Sequence, residues 1–240
     1  MFSPKLRSIA ILALVSCIAC GDDDSGPTDV SLTLTVLDFV PTPPYPPVEG
    51  ATVCLLGTED CGVTDADGQA ELQVPGESEI SLTVTKEDYQ AGLAVMTTED
   101  GPLTREMTTL TLALTETLGV LLDTPVPPVG TGALSISAIN TPTIDGMGGV
   151  PGITFTITSG DGKRFYFDGS LPSLDASETS LPIGSGGYVE LSPGEYDVEV
   201  GGNVDGCEIW SGWEGSSDNV LRTPIELGHI TYLYLLCESS

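Results

Sequence analysis

Short stretches of strict apolar–polar alternation are the feature that most limits what this chain can become. Residues 30–38 read VSLTLTVLD, residues 81–85 SLTVT and residues 195–200 EYDVEV. Successive side chains of a strand point to opposite faces, so each stretch buries one side in a sheet and wets the other. Wound as helices, the same residues would scatter their apolar groups around the axis. The chain holds 29 glycines and 18 prolines, which suits many short strands joined by turns. At 240 residues it is long enough for two cores of ordinary size. The expected fold is all-β, with two tandem Ig-like or prealbumin-like β-sandwiches behind an export signal.

Charge restricts the partners. Seven basic residues stand against 35 acidic ones, for a net charge of −28. Such a surface cannot neutralise a phosphate backbone, so nucleic acid is excluded as a partner. Anionic lipid would also repel the body, so attachment to a membrane requires a covalent lipid or an inserted segment. The bulk of the carboxylates reads as a solubilising surface.

The N-terminus reads as an address. Lys5 and Arg7 precede an apolar stretch of about 11 residues, against the roughly 20 that span a bilayer. Small residues and two cysteines follow in Ser16-Cys17-Ile18-Ala19-Cys20. This arrangement resembles the lipobox of bacterial lipoproteins, in which a cysteine thiol receives diacylglycerol before cleavage. Cys17 follows Leu14-Val15-Ser16, the better local fit. Cys20 leaves a signal of more usual length and opens the acidic run Gly21-Asp22-Asp23-Asp24. Acylation at Cys20 also leaves four cysteines to pair, whereas acylation at Cys17 strands one thiol. The expected division is a signal over 1–19, an acidic tether over 20–29, a first sandwich over 30–122, a linker over 123–132 and a second sandwich over 133–240. The expected location is the outer membrane, facing periplasm or exterior.

The first sandwich carries the most specific pattern. Gly50-Ala51-Thr52-Val53 opens a strand, and Thr64-Asp65-Ala66-Asp67-Gly68 makes a turn between alternating segments. Pro75-Gly76 ends the next strand, and Leu82-Thr83-Val84 leads toward Tyr89. Together these residues resemble the carboxypeptidase regulatory-like domain, a prealbumin-like sandwich related to collagen-adhesin B-type repeats. The resemblance covers about residues 30–100 and implies a seven-stranded sandwich. The proline-rich stretch 41–47 reads as an extended loop between strands. Threonines tilt the ambiguous run 106–118 toward strand, although Leu110, Leu114 and Leu118 also share a helical face ahead of a candidate C-cap at Gly119. The second half repeats the plan. Residues 152–158 take the place of the Ala51 strand, 186–191 that of 68–72, and Ser192-Pro193-Gly194 that of Pro75-Gly76. Between them residues 165–184 form an insertion, the first suspect for a binding loop.

Cys54 with Cys61, and Cys207 with Cys237, are the expected disulfides. In the chain-entropy picture they contribute about 2.5 and about 3.7 kcal/mol. Chemistry is harder to assemble. His229 is the single histidine and has no Gly-x-Ser-x-Gly elbow near it. No cysteine–histidine spacing suits zinc, and no cofactor is implied. Asp65-x-Asp67-Gly68, Asp161-Gly162 and Asp168-Gly169 lack the ligand spacing of a calcium loop and read as turns. Lys86 and Lys163 are not in an opening strand, where the adhesin-type isopeptide bond requires its lysine. Trp210 and Trp213 are the remaining candidates for ligand contact. Against sugar stacking stands packing on the nearby Cys207, with Tyr232 and Tyr234 on one strand face and Leu233 and Leu235 on the other. The function expected is a non-catalytic envelope lipoprotein of structural, adhesin-like or protein-binding kind. The alternative is a carbohydrate-binding accessory using the tryptophans and the insertion.

Overall fold

The computed structural model describes residues 28–40, 44–127, 129–144 and 148–238. The signal segment, both lipobox cysteines and the tether through residue 27 lie outside the described residues. The first half contributes β1 (Asp29–Asp38), β2 (Thr52–Leu55), β3 (Cys61–Val63), β4 (Gln69–Pro75), β5 (Glu79–Thr85), β6 (Gly92–Thr97) and β7 (Leu103–Thr109), then helix α1 (Leu112–Leu121). The second half adds β8 (Gly132–Ile139), β9 (Ile153–Ile157), β10 (Lys163–Asp168), β11 (Leu171–Ser173), β12 (Ser185–Leu191) and β13 (Gly194–Gly202). It closes with β14 (Cys207–Ser211), β15 (Trp213–Glu214), β16 (Val220–Ile225) and β17 (Ile230–Cys237).

The two halves use one wiring. Sheet order β4-β1-β7, with β1 and β7 parallel, recurs as β12-β8-β17, with β8 and β17 parallel. The facing order β2-β5-β6 recurs as β9-β13-β16, antiparallel in both. A threonine corner marks the repeat at atomic level. Thr64 Oγ1 donates to the Val48 carbonyl at 2.5 Å and accepts from Ala51 N at 2.8 Å. Thr179 Oγ1 donates to the Val150 carbonyl at 2.7 Å and accepts from Ile153 N at 2.9 Å. Each hydroxyl closes a buried backbone corner where the chain enters a strand, which gives the threonine of the Thr-Asp-x-Asp-Gly turn its physical role. The adjoining turn needs its glycine. Gly68 has φ of +74°, and a Cβ there would stand 2.7 Å from the Val36 carbonyl oxygen.

The halves do not sit side by side as separate sandwiches. Residues 230–232 of β17 pair in parallel with residues 92–94 of β6, joining one sheet of each half into a ten-stranded sheet. Further along, β14 takes over that edge of β17, with Cys207 opposite Cys237. Both seam strands therefore face two cores. Ala94, Met96, Tyr232 and Tyr234 point into the first core, against β1, β4 and β7. Leu93, Val95, Leu233 and Leu235 point into the second, against β9, β13 and β16.

Two expectations about local structure need correction. The run 106–118 is both alternatives in succession: β7 ends at Thr109, and α1 begins at Leu112. Threonine does not prevent the helix because its hydroxyls find partners inside it. Thr111 caps the N-terminus by accepting from Leu114 N, and Thr115 and Thr117 donate to the carbonyls four residues back. Gly119 is not the C-cap, which is Leu122; it is a close-packing point, where a Cβ would lie 2.7 Å from the Thr124 carbonyl oxygen. The first part of the 165–184 insertion is sheet, since β10 and β11 form a hairpin that extends the shared sheet, and residues 174–184 are the loop.

The edge strand β9 is sealed by two tyrosines from the facing sheet. Tyr166 Oη accepts from Phe155 N at 2.7 Å and donates to the Phe155 carbonyl at 3.2 Å. Tyr188 Oη accepts from Ile157 N and donates to the same carbonyl at 3.0 Å. Sealing an exposed edge in this way blocks pairing with other chains. Tyr166→Phe strands the buried Phe155 N–H and is expected to cost about 1–3 kcal/mol. A urea titration checks this: the midpoint should fall with an unchanged slope, and an unmoved midpoint would show that the hydroxyl is dispensable.

Candidate interaction surfaces

The two tryptophans do not share a surface. They stand three residues apart, and the chain changes sheet between them at Gly212: Trp210 lies on β14 of the shared sheet and Trp213 on β15 of the four-stranded sheet. Trp210 packs at the margin of the first core. Its ring meets Tyr234 edge-on at 5.6 Å, and the Arg105 guanidinium lies 5.6 Å from its centroid. Trp213 packs at the margin of the second core, where its Nε1 donates to the Ile80 carbonyl at 3.2 Å and Arg222 lies 5.0 Å from its centroid. Arg222 also pairs with Glu79 and Glu195, which hold its guanidinium firmly in the charged form. Both indoles thus join the second half to the first, and they offer no common plane to a sugar. The three-residue spacing was visible in the sequence; what each ring would meet was not.

The other residues singled out earlier are occupied locally. The Asp65 carboxylate accepts from Asp67 N and Gln69 N at 2.9 Å each, so it builds its own turn. His229 Nδ1 lies 2.9 Å from the Leu227 carbonyl within the β16–β17 turn. Lys86 Nζ donates to the Glu49 carbonyl. Lys163 bridges to the Glu190 carboxylate at 2.7 Å and to the Asp123 carbonyl at 3.4 Å, tying the linker to β12. The hydrogen bond from Lys163 draws the Glu190 carboxyl below its ordinary range. Both expected disulfides are formed, Cys54–Cys61 and Cys207–Cys237, each between directly opposed strand residues. Among the described residues no group of three His, Cys, Asp or Glu is placed to hold a metal, and no helix is long and apolar enough to cross a membrane.

Helix α1 is the surface that sequence inspection passed over. Its residues LALTETLGVL are mostly apolar, with Glu116 and Thr117 on the exposed side, yet the buried ones are Thr115 and Gly119. Leu112, Val120 and Leu121 are exposed, Val120 at 81%. The reason is geometric: Gly119 and Thr115 let the helix lie close to the chain that follows it, so larger residues turn outward. Leu118 and Leu122 roof a small apolar cavity whose floor includes Phe165, Phe167 and Ile230. Beside the helix an open concavity is lined by Glu116, Val120, Asp123, Pro125 and Val126. Exposed Leu171 continues the apolar character on β11, which packs against the helix. A helix this apolar normally has a partner over its exposed residues.

No protein-family model and no curated protein matches the chain. Similar solved structures include a type II cohesin–X-dockerin complex from Acetivibrio cellulolyticus, at 22% identity and TM-score 0.26. That match covers 33% of this chain and 51% of the other, so the chain spans about half its length. A minor pilin of Streptococcus agalactiae is similar at 14% identity, over 88% of this chain and 97% of that one, with TM-score 0.25. A shaft pilin of Lactobacillus rhamnosus GG is similar at 12% identity, over 89% and 99%, with TM-score 0.27.

Proposed function

We propose that the chain is a non-catalytic module of the bacterial cell envelope, held by an N-terminal lipid, that binds a protein partner through the outward face of α1. The observation that carries this reading is that one short helix of a strongly acidic molecule carries three exposed large apolar residues, Leu112, Val120 and Leu121. The geometry of attachment agrees with it. The chain enters β1 beside Gly76, whose N–H donates to the Thr28 carbonyl. Helix α1 follows Thr109, which pairs with Asp38 at the other end of β1. A lipid at Cys20, or at Cys17, would therefore hold the molecule by one end and leave the start of the helix at the other.

The test uses the full chain in membranes of its native host, with a photo-crosslinking residue at Val120 and a control at exposed Glu71. Crosslinks to one protein from Val120 and not from Glu71 are the expected result; equal or absent capture removes α1 as the contact. Intact mass of the same extracted protein should show one acylated cysteine. A chain without lipid would overturn the anchor while leaving the binding surface to stand or fall on the crosslinks.

A further inference from the structure

The repeat makes it possible to see what the second half adds. In the first half β5 is followed by β6 after a short connection, whereas between β13 and β16 residues 203–219 are inserted and carry β14 and β15. This insertion adds a grip on the first half. Ser211 Oγ donates to the Val95 carbonyl at 2.7 Å, Trp213 reaches the Ile80 carbonyl, and Trp210 stacks with Arg105. Without it, the strand-to-strand seam between the halves is the three-residue pairing of β6 with β17. One covalent bond fastens the insertion to the seam, Cys207–Cys237.

The two residues of that bond differ in burial. Cys237 is 2% exposed, whereas Cys207 is only partly buried; both line one open concavity, and Cys207 alone of the two lines a second. We propose that Cys207–Cys237 is a redox-addressable clamp, whose reduction releases the β14–β15 segment from the seam. The thiolate of a dithiol reductant attacks Cys207 Sγ, the S–S bond breaks, and its electron pair leaves on Cys237 Sγ, which takes a proton. The reductant's second thiol then displaces Cys207 as a free thiol, and the reductant leaves as a cyclic disulfide. Glu208, Glu214 and Asp218 line the approach, so an uncharged dithiol is favoured over an anionic thiol such as glutathione.

The experiment uses the full exported chain carrying Cys54→Ser and Cys61→Ser, so that the clamp is the one bond reduced. Hydrogen exchange is followed by mass spectrometry before and after an uncharged dithiol, with tryptophan fluorescence recorded in parallel. Exchange in residues 207–214 should rise about tenfold or more, and in 92–97 as well, while strands over 29–38 and 132–139 keep their protection. Both indoles should shift toward the emission of wet tryptophan. Unchanged exchange at 207–214 after complete reduction would overturn the clamp, and so would loss of protection throughout both sandwiches, which would make the bond a general staple. A Cys207→Ser, Cys237→Ser variant of the same chain should reproduce the reduced pattern without reductant; if it exchanges like the oxidised protein, the proposal fails.

Discussion

Leu233→Ala is expected to lower the stability of this protein by about 3–4 kcal/mol, and to loosen strands from both halves together. Leu233 is wholly buried in the middle of β17 and packs in the second core with Leu93 and Val95 of β6 and with Leu134 and Ile136 of β8. Truncation leaves a cavity where strands of both halves meet. The loss is large beside the roughly 5–15 kcal/mol that holds a typical domain. Denaturant unfolding gives the magnitude, and hydrogen exchange gives the distribution. Amides of residues 93–95 and 134–138 should lose protection in step. If 134–138 alone respond, the two halves are energetically independent and the shared sheet couples nothing.

The second large effect is alkaline unfolding driven by two tyrosines on the same strand. Tyr232 and Tyr234 are fully enclosed, and burial is the main cause that raises both, with Tyr234 pushed up to about 12 and Tyr232 higher still. An unfolded tyrosine titrates near pH 10. Below that pH both states keep the proton and the stability is whole. Between pH 10 and 12 the unfolded chain loses protons that the folded one retains, which costs about 1.4 kcal/mol per tyrosine per pH unit. Near pH 12 the pair therefore removes about 5 kcal/mol, enough to unfold a molecule of ordinary stability. Phenolate absorbance should rise for these two residues only as the sheet dissociates. Tyr232 Oη has no hydrogen-bond partner among the described residues, so Tyr232→Phe should be close to neutral at pH 7 and should move the alkaline midpoint upward. Tyr234 differs, because its hydroxyl accepts from Thr108 N at 3.0 Å and bonds to Thr108 Oγ1. Tyr234→Phe should therefore destabilise at every pH. An alkaline midpoint that ignores Tyr232→Phe would show that its phenol is not shielded.

Much of the architecture was legible because it is local. Alternation in residues 30–38 and 195–200 fixes which side chains share a face. The Thr64–Gly68 turn was legible as a turn but not as what it joins: the expected hairpin is instead a crossing from β3 in the shared sheet to β4 in the facing one. Helix α1 was harder, since a run of leucines and threonines satisfies both periodicities over so few residues. Its outcome was decided by the Thr111 cap and by the closeness of Gly119 to residue 124. The candidate surface was hidden for the same reason: exposure of Val120 depends on which side of the helix the following chain covers.

Alternating hydrophobicity, turn residues and paired cysteines determined that this chain makes strands, where most of them end, and that its halves share a plan. These are properties of near neighbours, set by backbone geometry and by the period of side-chain direction. Only the tertiary structure decided that β17 lies between β6 and β8, joining the two halves through one sheet. No short stretch encodes that choice. Parallel pairing of strands more than 130 residues apart along the chain is selected by the burial of both faces at once, and that becomes favourable only when both cores are already there to receive them.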